Sequence, residues 1–218
     1  MAHAVSDPRR NLGAAILVVA GSFALVATLA NAVSRAIPAF PTNLFGTLFA
    51  LLLASFVLVP LAIVVAFTYF GVGGRGVYPL GGYSVRARML FFLTGVVALA
   101  AQYSFLGLAL VPVGPGSSLV PAETTIWVLD LIAVVAAATV SVVVIRVGVV
   151  QGLARGALPL AILLTAVSVV FPSVPGSPQS DWWDVPHGVG IVILGIAYWR
   201  AGVHTPPPVP EGTESLAE

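Results

Sequence analysis

Residues Glu123 to Arg146 read ETTIWVLDLIAVVAAATVSVVVIR. This stretch decides the fold. At about 1.5 Å per residue its apolar run is long enough to cross a hydrocarbon core roughly 30 Å thick. One acidic side chain, Asp130, stands inside it. A carboxylate at the centre of a membrane helix costs about 2.5 to 3.5 kcal/mol, and less toward the interface, so Asp130 needs a partner, water or the headgroup layer. Helical periodicity puts Glu123, Asp130, Ala133, Ala137 and Ser141 in one stripe, opposite Ile132, Val135 and Val142. Ala133, Ala137 and Ser141 form a small-xxx-small-xxx-small run. In lipid, helices associate by close contact and hydrogen bonding, so this stripe predicts a protein-facing side that carries Asp130.

The rest of the chain agrees with a membrane reading. Of its 218 residues, 59 % are hydrophobic and 8 % charged, against about 25 % charged in soluble domains. The polar intervals are too short to make a separate soluble domain. With no cysteine, disulfides, iron–sulfur clusters, thiolate zinc sites and cysteine nucleophiles are excluded. A net charge of +1 gives no footprint for nucleic acid. The partner that composition requires is the lipid bilayer, with other membrane subunits or a second copy as further expectations.

Hydropathy divides the chain into a cytoplasmic leader (1–11), a transmembrane helical domain (12–201) and a proline-rich, acidic tail (202–218) expected to be disordered and cytoplasmic. Six spans are predicted near 12–33, 44–70, 89–111, 124–145, 157–172 and 186–201. The first run exceeds the about 7 to 15 residues of a removable signal, which predicts a retained anchor. Pro60 predicts a tilt or kink in the second span. Gly71, Gly73 and Gly76 satisfy GxGxxG, but they follow a membrane helix and lack the strand–turn–helix unit that a dinucleotide site requires. In the third span Gly95, Gln102 and Ala109 recur every seven residues, placing an amide on a small-residue face that can meet Asp130.

Charge placement predicts the orientation. With the N-terminus inside, Arg9, Arg10, Arg75, Arg86, Arg88, Arg146, Arg155 and Arg200 fall on the cytoplasmic side and Arg35 alone outside. Trp127, Trp182 and Trp183 are expected at the outer interface, and Tyr198 and Trp199 at the inner one. The fold class is therefore an all-α polytopic helical bundle of about six spans in the cell membrane, both termini cytoplasmic.

Two function classes fit. In one, a small proton- or ion-linked transporter or channel uses Asp130, with Gln102, Asn31, Arg35 and Glu123 near it, as an intramembrane polar site. In the other, the protein is a non-catalytic structural or accessory subunit, with Ala133, Ala137, Ser141 and Gly95 as packing contacts and Asp130 as interhelical glue. A remoter alternative comes from Gly116-Ser117-Ser118-Leu119, which is similar to the GxSx pattern of rhomboid-like intramembrane proteases. That resemblance would pair Ser118 with His187. The serine stands in a loop, however, and not within a helix as the pattern demands, so no catalytic residue is assigned. Asp181, Asp184 and His187 in DWWDVPH have weak metal-ligand spacing, and Pro186 is expected to break any helix that would align them. No metal and no cofactor are predicted.

Overall fold

The computed structural model describes residues 8–37, 42–72, 80, 84–110, 120–148, 150, 152–170, 182 and 184–201. These form six helices and no strand: α1 (Pro8–Ala36), α2 (Thr42–Val72), α3 (Val85–Leu110), α4 (Val120–Val147), α5 (Ala154–Val170) and α6 (Asp184–Arg200). The helices outrun the apolar stretches that predict them. α1 begins at Pro8, where a proline's missing N–H costs nothing, so Arg9, Arg10 and Asn11 of the expected leader are helical. Apolar length measures only the part that needs hydrocarbon, whereas an arginine-bearing first turn continues the helix beyond it. The remaining leader residues and the tail lie outside the described residues.

α1 over Arg10–Ala36, α2 over Gly46–Val72 and α4 over Val128–Val147 are long and apolar enough to cross a membrane. α5 and α6 have 17 residues each, about 25 Å of helix. Every helix packs on its neighbour in sequence, and α6 closes back on α1, giving a ring in the order α1–α2–α3–α4–α5–α6. The α1–α6 seam is heavily packed and α4–α5 is the thinnest.

Glycines set the close seams. A Cβ at Gly195 would stand 2.8 Å from the Ala14 carbonyl oxygen, and one at Gly21 would stand 2.9 Å from the Val192 backbone nitrogen. Gly188 sits equally tightly on Leu25. α6 therefore runs antiparallel to α1, backbone nearly on backbone. Gly95 does the same for α3 on α2, where a Cβ would meet Val64 Cα at 2.9 Å. Gly71 of the GxGxxG string is a packing residue too, lying against Phe91 of α3; Gly73 and Gly76 lie outside the described residues. α2 passes through Pro60 as one helix.

Because consecutive helices alternate in direction, Arg10, Arg86, Arg88, Arg146, Arg155 and Arg200 gather at one end of the ring and Arg35 lies at the other. The arginine end is closed by an aromatic cluster. Phe70 meets Tyr198 edge-on at 5.2 Å between centroids, and Phe67 stands 6.1 Å from Phe91. Leu80 is buried beneath it, its N–H donating to the Phe70 carbonyl at 3.1 Å. Tyr198 is therefore not an interfacial residue as expected: it is 1 % exposed. The helix face it occupies is turned to Phe70, whereas the next residue, Trp199, is exposed.

Candidate functional site: a cavity lined by six helices

The ring is not filled. Above the aromatic cluster lies a half-open cavity of about 580 Å³ to which all six helices contribute. Phe67 reaches its wall from the cluster, and α2 supplies the largest share of the apolar lining, including Phe56, Val59 and Ile63. Pro60 lines it as well. Small side chains make the space: Ala133 and Ala137 of α4 and Ala98 and Ala101 of α3 face the cavity where larger residues would occupy it.

Asp130 stands on this wall, half-buried. Among the described residues its carboxylate has no hydrogen bond and no ion pair. The stripe drawn from helical periodicity is thus turned inward, with Asp130, Ala133 and Ala137 on the cavity and Ser141 buried further along α4. The other residues expected around Asp130 are placed differently. Asn31 of α1 is half-buried, and its carbonyl accepts from Ser34 Oγ at 2.8 Å, but it is not on the cavity wall. Arg35 is exposed at the end of α1. Gln102 and Glu123 belong to α3 and α4, but their side chains lie outside the described residues. From α1 the cavity takes Thr28 instead.

The most constrained polar group is His187. Its Nδ1 is 2.9 Å from Thr165 Oγ1, and its backbone N–H donates to Ser168 Oγ at 3.0 Å. The second contact caps α6 from a neighbouring helix, because His187 lies in the first turn, where the backbone N–H groups have no intrahelical acceptor. Thr165 Oγ1 also contacts the Ala161 carbonyl at 2.9 Å, and a carbonyl can only accept. With its single proton given there, Thr165 accepts from Nδ1–H of His187. The neutral ring then presents Nε2 as an acceptor.

Asp184 lies one turn before His187, and both line the cavity. Pro186 does not separate them, contrary to expectation: it sits in the first turn of α6, where proline is tolerated, so the two share one helix face. Asp181 lies outside the described residues. Among those described, no three His, Cys, Asp or Glu side chains are grouped to hold a metal ion. Ser117 and Ser118 also lie outside them, and the partner observed for the His187 ring is Thr165.

No protein family, curated protein or solved structure matches this chain. Function must be argued from the cavity itself. Its hydroxyl groups at Ser55, Thr94 and Thr165 share one property that sequence reading missed. Ser55 Oγ donates to the Leu52 carbonyl at 2.7 Å and Thr94 Oγ1 to the Leu90 carbonyl at 2.8 Å, as Thr165 does to Ala161. Each proton is committed to the residue's own helix, so what faces the cavity is oxygen lone pairs. The signal was present in the sequence as isolated Ser and Thr residues within apolar runs, but only the ring order shows that they share one space.

Proposed function

We propose that the chain is a six-span integral protein of the cell membrane, both termini cytoplasmic, in which Asp130 is the exchange site of a small proton- or cation-linked carrier. The observation that carries this reading is the position of Asp130 on the wall of a central cavity, without a partner among the described residues. An ionisable group at membrane depth is expensive, and this arrangement gives it access to an exchangeable ligand.

The packing supports six spans. α6 lies along α1 from Ala14 to Leu25, so if α1 crosses the bilayer, α6 occupies the same slab. Exposed Trp182 and Trp199 bracket α6, about 25 Å apart along its axis. That separation suits two interfacial belts. The arginine-rich end gives the orientation by the positive-inside rule.

The accessory-subunit alternative draws less support, because the Ala133/Ala137 stripe meant to hold another chain is spent on the cavity and Ser141 is buried within this one. The test is proton uptake into vesicles containing the purified protein, driven by a potassium diffusion potential and read by an internal pH dye. Wild type is expected to carry a flux that Asp130→Asn reduces at least about tenfold, with elution profile and melting temperature retained. Equal flux in the two proteins, or a variant that differs only in assembly, would remove the carrier reading.

A further inference from the structure

Resting on that carrier reading, we infer that the cavity binds an amphipathic organic cation, its positive group at Asp130 and its apolar body along the α2 wall. Size is the first reason. A cavity of about 580 Å³ falls within the roughly 300 to 1,000 Å³ of sites for organic ligands, far above what a bare ion needs.

The sign of the lining is the second. Among the described residues no arginine faces the cavity, and the carboxylate on its wall without a partner among them is that of Asp130. The neutral polar groups point the same way: Ser55 and Thr94 have given their protons to their own helices, and the His187 ring is held through Nδ1. At Ser55, Thr94, Thr165 and the His187 ring the wall therefore offers acceptors. A ligand that satisfies such a wall brings donors or positive charge and no anionic group.

The distribution of apolar surface is the third. Phe56, Val59, Ile63 and Phe67 form one continuous side of the cavity, which an inorganic or strongly hydrated cation would leave unmatched and a hydrocarbon or aromatic body would cover. Access fits the same chemistry, since the thinnest seam of the ring is the one between α5 and α4, the helix that carries Asp130. That seam is tied at the arginine end by Arg155 Nη2 donating to the Ile145 carbonyl.

The experiment measures equilibrium binding to the purified full chain in nanodiscs, using tetraphenylphosphonium, its anionic isostere tetraphenylborate, and tetramethylammonium. Tetraphenylphosphonium is expected to bind saturably, and the other two to bind at least about tenfold more weakly. Asp130→Asn should weaken phosphonium binding about tenfold or more, while Asp130→Glu restores most of it. Ala133→Trp, which keeps the carboxylate and fills the space, should abolish it. Equal binding of both tetraphenyl ions would overturn the inference, as would binding indifferent to Asp130 and Ala133. Asp130-dependent proton flux without phosphonium binding would refute the organic cation alone and leave the carrier reading standing; absence of both would refute both.

Discussion

Replacing Gly195 by alanine tests the ring directly, because the same substitution elsewhere should have the opposite sign. The added methyl group would lie 2.7 Å from Val18 Cγ2, 2.8 Å from the Ala14 carbonyl oxygen and 2.9 Å from the Val18 backbone nitrogen. Ordinary contact begins near 3.4 Å, and two of these three neighbours are backbone, so α1 and α6 must part by roughly half an ångström. A radial gap of about 0.5 to 1 Å forfeits a quarter to a half of each dispersion contact, and overpacking of this kind costs about 1 to 3 kcal/mol. Gly46 in α2 has nothing within 4 Å of its would-be Cβ, so Gly46→Ala should gain about 0.5 to 1 kcal/mol from reduced backbone freedom. The assay is SDS-driven unfolding in mixed micelles, followed by tryptophan fluorescence. Gly195→Ala should unfold at lower SDS than wild type and Gly46→Ala at higher. Should Gly195→Ala prove as stable as Gly46→Ala, the α1–α6 seam is not packed as described and the ring does not close there.

Other predictions follow from single contacts. Tyr198→Phe should be neutral or stabilising by about 1 kcal/mol in the same unfolding assay, because the buried hydroxyl has no hydrogen-bond partner among the described residues and its removal relieves an unmet desolvation cost. Leu80→Ala should cost about 2 to 5 kcal/mol, since Leu80 is 2 % exposed beneath the aromatic cluster and its loss leaves a void. Thr165→Val should release the His187 ring: nitrogen NMR should show Nδ1 protonated in wild type and a tautomer mixture in the variant, and an unchanged spectrum would contradict the hydrogen-bond assignment. Arg155→Ala should cost less than about 1 kcal/mol, because its bond to the Ile145 carbonyl is exposed.

The helices were legible in the sequence because membrane helices must satisfy their own backbone, which makes apolar length a direct signal. The spans predicted near 44–70 and 124–145 lie within α2 and α4. The inward turn of the Asp130 stripe was readable from the three- and four-residue spacing of Asp130, Ala133, Ala137 and Ser141. What surrounds Asp130 was not, because position along one helix says nothing about ring order: Asn31 and Arg35 are not on its cavity, whereas Asp184 and His187 line it from the far end of the chain. The α1–α6 seam was missed for a similar reason. Gly21, Gly188 and Gly195 read as scattered glycines until two helices separated by most of the chain are set side by side. Pro186 misled because a proline breaks a helix interior but opens a first turn, and which applies depends on where α6 begins.

The central claim is that the six helices line a ligand-sized cavity with the Asp130 carboxylate on its wall. The absence of cysteine from the chain makes single-cysteine labelling of α4 the most direct measurement. Cysteines placed at Ala133 and Ala137, on the cavity, should react with a water-soluble methanethiosulfonate, and cysteines at Leu131 and Val135, which are 58 % exposed on the outer face and read as lipid-facing, should not. At the cavity positions a cationic reagent should outpace its anionic counterpart by about tenfold, a preference that Asp130→Asn abolishes. Equal labelling on both faces, or cavity positions inert to both reagents, would contradict the account.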